Sequence, residues 1–225
     1  MTRRPRALTR HSRGRTRGFT LIEIMVAVLL LSIGLLGIAG LQAATAKYKI
    51  NTWARSASAT LLSEFVEKVR VNPGAAGPGF IDRILVDSEG ASIVLPSKYR
   101  ITDNWATQQS AALTVSKNCE TSSCTEQERS DYDMVTWRQR VRTLLPQGAA
   151  MVSGDKGNGI DLTLMWMDKE QTKLVDPDDP ASERILKKAP VCAADTPVGM
   201  AQQSCCPSAA NAPEGVRCAR FFLTP

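Results

Sequence analysis

FTLIEIMVAVLLLSIGLLGIAGL, from Phe19 to Leu41, is a stretch of 23 residues with a single ionisable side chain, Glu23. As a helix rising about 1.5 Å per residue it spans roughly 34 Å, enough to cross a hydrocarbon core of about 30 Å. An ordinary secretory signal has a shorter apolar core with a small-residue cleavage site behind it. Here Ile24–Leu41 alone is 18 residues long, and it runs without a breaker into a polar helical stretch. The segment therefore reads as a membrane-spanning helix that stays in the product. Glu23 needs its own explanation. A carboxylate within such a helix costs about 3 kcal/mol at the centre and less near the interface, so an intramembrane acid is a functional candidate by default. Gly34, Gly37 and Gly40 recur at a spacing of three. They permit close approach of a second helix or local loosening, although glycine is also simply common in membrane helices.

Upstream, residues 1–18 hold seven arginines and no acid. The 225-residue chain has a formal charge of +6, which taken alone invites a nucleic-acid reading. Without those seven arginines, 21 bases face 22 acids, a net of −1 over residues 19–225. The basic character thus belongs to the leader, and charge does not support nucleic acid as a direct partner of the rest. Cationic residues before a span hold that end in the cytoplasm, so everything after Leu41 is expected on the outer side.

Downstream, helical periodicity continues from Gln42 to Asn72. Leu61, Leu62, Phe65, Val66 and Val69 form one apolar stripe, with Lys68 and Arg70 off it. Asn72-Pro73-Gly74 breaks the pattern. One helix of about 50 residues follows, its second half offering an apolar face to the remaining chain. The rest, residues 73–225, reads as a small α+β domain. Gly74–Gly79 is a loop, and Ile84–Val86 and Ile93–Leu95 are short apolar pieces of ambiguous type. Thr125 with Glu128 is a capping-box signature that opens a helix from Glu126 to about Leu145. Tyr132, Val135, Val141, Leu144 and Leu145 are its inward candidates, and Pro146 and Gly148 end it. Ala149–Ser153 and Ile160–Met167 read as strands joined by the turn-rich Gly154–Gly159. The tail, residues 176–225, is rich in Pro, Asp and Cys and is expected to be irregular.

Six cysteines lie beyond the span: Cys119, Cys124, Cys192, Cys205, Cys206 and Cys218. On the outer side of a membrane they are expected in disulfides, which would tie down a tail too polar to hold itself by packing. Cys119 with Cys124 makes a natural short loop. Adjacent Cys205 and Cys206 are expected to take different partners from Cys192 and Cys218. The spacings do not match zinc motifs, and the single histidine, His11, is in the leader. No Ser–His or Cys–His pair exists after Gly18, and no glycine-rich phosphate loop is present, so no enzyme, cofactor or metal site is expected. Asp176–Pro180 reads as a solvated acidic loop rather than a calcium site. The four tryptophans read as core or interface aromatics.

Arg17-Gly18-Phe19-Thr20-Leu21-Ile22-Glu23 resembles the processing site of type IV pilins and pseudopilins. That resemblance implies a prepilin peptidase cutting between Gly18 and Phe19, methylation of the new amine on Phe19, and Glu23 as the assembly contact that pairs with a neighbouring subunit's N-terminus. It also implies the type IV pilin fold, a long N-terminal helix packed on a small antiparallel β-sheet domain. Three further stretches are similar to the minor pilins called type IV pilus modification protein PilV. These are Arg70–Gly74, the run from Cys119 and Cys124 through Trp137 to Leu145-Pro146 and Gly148, and Leu162–Trp166. The implied role is initiation of pilus assembly in a priming or tip complex, supporting twitching motility and adhesion. The implied partners are prepilin peptidase, other minor pilins and the major pilin, the inner-membrane assembly platform and membrane lipid. The implied location is the bacterial inner membrane with the C-terminal domain in the periplasm, and the pilus once assembled. Two other readings remain, a pseudopilin of a type II secretion system and a tip adhesin or DNA-uptake receptor.

Overall fold

The computed structural model describes residues 18–76, 82–155, 159–193 and 199–223. The leader before Gly18, part of the expected loop after Gly74 and the tip of the Gly154–Gly159 turn lie outside the described residues. In chain order the elements are α1 (Leu21–Val71), α2 (Pro73–Ala76), β1 (Asp82–Val86), β2 (Ser92–Pro96), α3 (Trp105–Ser110), α4 (Glu126–Leu144), β3 (Ala149–Asp155), β4 (Gly159–Met167), β5 (Thr172–Leu174), β6 (Arg184–Leu186), α5 (Met200–Ser204), a 3-10 turn (Ser208–Ala210) and β7 (Val216–Leu223). The chain divides into two compact units, residues 1–46 and 47–225.

The first unit is the apolar part of α1. Leu21–Ala46 is 26 residues long, apolar enough to cross a membrane, and none of it is buried. Its few polar groups are handled locally. The Ser32 hydroxyl donates to the carbonyls of Val28 (2.6 Å) and Leu29 (3.1 Å), and that of Thr45 donates to Gln42 (3.0 Å). Back-bonding of this kind satisfies a hydroxyl without leaving the helix.

In the second unit, a three-stranded antiparallel sheet in the order β3-β4-β7 lies between two covers. On one face, residues of α1 and α4 meet it. Ala54, Ala57, Leu61, Phe65 and Val69 of α1, with Met134, Trp137 and Val141 of α4, bury against Ala150, Val152, Leu162, Leu164 and Trp166. Phe65 anchors this layer, edge-on to Tyr99 at 6.3 Å between ring centroids and tilted against Trp137 at 5.1 Å. Such ring pairs contribute about 0.5–1.5 kcal/mol beyond the area they bury. On the opposite face Met151, Met165, Val216 and Cys218 pack under Trp105 and the tail residues Ala189, Cys206, Ala210 and Ala212. The result is a small antiparallel sheet with a long N-terminal helix and a disulfide-bonded C-terminal region, the α+β, pilin-like fold.

Two expectations need correction. The tail is not irregular throughout: Val216–Leu223 is a strand that pairs with β4 from Ile160↔Leu223 to Met167↔Val216. Along α4, Val141 and Leu145 are buried as expected and Leu144 packs against the core, but the first half of the helix turns a different face inward. Ser130, Asp133, Met134, Trp137 and Val141 are its buried residues, whereas Tyr132 and Val135 are only partly covered. A part-buried ion pair lies on this face. Lys68 Nζ donates to Asp133 Oδ1 at 2.9 Å across the α1–α4 contact, so α4 turns an acid inward where a purely apolar reading puts Tyr132.

Candidate processing and assembly site

The site is built where the chain enters α1. Thr20 precedes the first helical residue. Its carbonyl accepts from the main-chain N–H of Glu23 (3.1 Å) and Ile24 (3.3 Å), and its hydroxyl accepts from the Glu23 N–H at 3.4 Å. Thr20 is thus the N-cap and Glu23 the third helical residue, the T-x-x-E spacing of a capping box, visible in the sequence but not singled out there. An acid in the first turn gains about 0.3–1 kcal/mol from the helix dipole. That gain falls short of what a carboxylate costs inside hydrocarbon, which is on the order of 3 kcal/mol at depth.

From Leu21 to Leu41 only Glu23 and Ser32 carry polar side chains, and Ser32 is satisfied within the helix. The Glu23 residue is exposed, and among the described residues its carboxylate meets no hydrogen-bond donor or cation. Phe19 and Leu21 beside it are 77% and 78% exposed. This end of the helix thus presents an acid and bare apolar surface together.

Gly18 sits just ahead of the helix. A Cβ built on it would meet nothing within 4 Å, and the same holds for Gly34, Gly37 and Gly40. The fold of a single chain does not require glycine at any of the four.

The cysteines are joined Cys119–Cys124, Cys192–Cys205 and Cys206–Cys218. The first closes the loop that delivers Thr125. Its hydroxyl accepts from the Glu128 N–H (3.3 Å) while the Glu128 carboxylate accepts from the Thr125 N–H (2.8 Å), a complete capping box at the head of α4. Lys117 pairs with that same carboxylate at 2.8 Å, and its ammonium, ahead of the cap, holds the Glu128 carboxyl below the usual carboxylate range. The third bridge fastens the tail to β7.

A sequence family described as the prokaryotic N-terminal methylation motif matches residues 13–39. No curated protein and no solved structure matches the chain. The motif covers Gly18, Phe19, Glu23 and most of the apolar helix. It supports a type IV pilin- or pseudopilin-like protein, structural rather than enzymatic, and implies processing by a prepilin peptidase and assembly with other pilins. The apolar helix is consistent with membrane anchoring.

Proposed function

We propose that this chain is a minor pilin of the PilV type, cut between Gly18 and Phe19, methylated on Phe19, and used in a priming or tip complex that initiates type IV pilus assembly. On this reading residues 1–18 are the leader and 19–41 the membrane and filament-core helix. Residues 42–72 are its amphipathic continuation, and 73–225 are a periplasmic domain with the tail 176–225. Such a protein would work with other minor pilins, the major pilin and the inner-membrane platform, and so support twitching motility and adhesion.

The observation that carries the reading is Glu23, a carboxylate with no partner among the described residues on an otherwise apolar, uncovered helix. Packed among similar helices, a lone buried charge is strongly unfavourable and a paired one is tolerable. Cleavage creates the partner. The amine freed on Phe19 of a neighbouring subunit is a cation at the matching depth.

The test is Glu23→Ala in cells. Peptidase cleavage should continue, and the protein should vanish from sheared surface filaments; normal incorporation would sink the proposal. Deleting the gene should reduce surface pili, and blocking retraction should restore them if the role is accessory to initiation.

A further inference from the structure

Within the second unit a cavity of about 600 Å³ runs along β7, between α1 residues Arg55 and Leu62 on one side and α5 on the other. Strand β7 ends the sheet, so among the described residues one of its edges is not paired with another strand. The direction of its peptide groups follows from the ladder. The Asp168 N–H bonds the Gly215 carbonyl. Alternation along an antiparallel pair then turns the peptide groups of Cys218, Arg220 and Phe222 away from β4 and into the cavity. Among the described residues no main-chain hydrogen bond reaches those groups.

Four cations line the same cavity, namely Arg55, Lys187, Arg217 and Arg220, and no acid does among the described residues. Asp168 and Asp161 neutralise Arg217 and Arg220. Arg55 and Lys187 are exposed and have no acidic partner among the described residues. Met200 and Phe222, 67% and 55% exposed, add apolar surface at the rim. This local excess of positive charge stands out in a domain whose overall balance is near zero.

We infer that this groove is a docking site for an extended, acidic peptide segment of a neighbouring protein subunit, added as a fourth strand to β7. Three features select that occupant. Alternating outward N–H and C=O groups match a peptide backbone, the basis of strand addition, and do not match a polyphosphate. Two unneutralised cations are few for nucleic acid, whose affinity grows with each phosphate contacted. Arg55 and Lys187, the two cations without an acidic partner among the described residues, supply the charge complementarity that favours acidic side chains on the added strand. The inference goes beyond the proposed role in filament initiation and is measured independently of it, on isolated protein rather than in pili.

The probe is a fluorescent peptide of alternating Val and Glu, titrated against the full chain in detergent. Its Lys-for-Glu counterpart and single-stranded oligothymidylate serve as comparisons. Arg55→Glu and Lys187→Glu should each weaken binding about tenfold. Phe222→Pro removes one outward N–H without touching the β4 ladder and should weaken it similarly, whereas Phe222→Ala keeps that N–H and should have less effect. Circular dichroism of each variant checks that the domain is folded. Failure of the Glu peptide to bind, equal binding of the Lys peptide, tighter binding of the oligonucleotide, or indifference to Phe222→Pro in a folded protein would each overturn the assignment.

Discussion

The indole N–H of Trp137 donates to the main-chain carbonyl of Leu61 at 2.9 Å, across 76 residues of sequence and in a site only 1% exposed for Trp137. This bond joins α4 to α1 beside the Lys68–Asp133 pair. Phe65, one turn on, closes the same contact from the other side.

Trp137→Phe removes the donor and part of the ring while keeping an aromatic in place. It should destabilise the domain by about 1–2 kcal/mol, or roughly 3–6 °C in Tm. Thermal unfolding of the full chain in detergent reads this directly, and an unchanged Tm would remove the bond from the list of what holds α4.

Tyr99 lies against the Lys68–Asp133 pair, its hydroxyl 3.3 Å from the Lys68 carbonyl and 3.5 Å from Asp133 Oδ2. Burial pushes its phenol up to about 12, a hydrogen bond with Asn72 opposes this, and the Asp133 charge adds to it. A group whose folded value lies above its unfolded value of about 10 stabilises fully below pH 10. That contribution is lost as pH rises towards 12. Stability of the native chain should therefore fall more steeply over this window than that of Tyr99→Phe. Denaturant titrations at a series of pH values test the difference, and parallel curves would contradict it.

Gly18→Ala should leave folding untouched, because the added methyl meets nothing within 4 Å. Processing should stop, leaving a full-length precursor of slower gel mobility. A cleaved Gly18→Ala protein would mean that the residue before the junction is not what the peptidase reads.

Replacing Cys206 and Cys218 together by Ser opens a bridge spanning 12 residues. A loop of that size is worth about 3 kcal/mol. Limited proteolysis should then cut the tail between Ala189 and Ala212 while the α1–α4 layer stays protected. Equal protease resistance with and without the bridge would show that apolar packing alone holds the tail.

Several features were legible in the sequence because they are local. The apolar run and its lone acid, the stop at Asn72-Pro73, the Thr125–Glu128 cap and the Ala149–Met167 hairpin each need only a short window. Strand β7 was not, and its residues say why. Val216 and Cys218 face the tail layer while Ala219 and Phe221 face the helices, so both faces are covered and no polar–apolar alternation marks it. Arg217 and Arg220 read as solvent residues until Asp168 and Asp161, about 50 and 60 residues earlier, are brought alongside. The inward turn of Asp133 has the same cause, since its partner Lys68 is 65 positions away. At the head of α1, the part played by Thr20 emerged only with the hydrogen bonds.

The position of β7 also constrains the order in which the protein can be made. The strand that completes the sheet is the last of the described elements, and the strand it joins begins at Gly159, more than fifty residues earlier. During synthesis the hairpin of β3 and β4 therefore waits with Leu162 and Leu164 open along one side. Closure is a late, long-range event of the kind that slows folding. A chain stopped before Val216 would carry that open side permanently, an exposed strand edge of the sort that seeds aggregation.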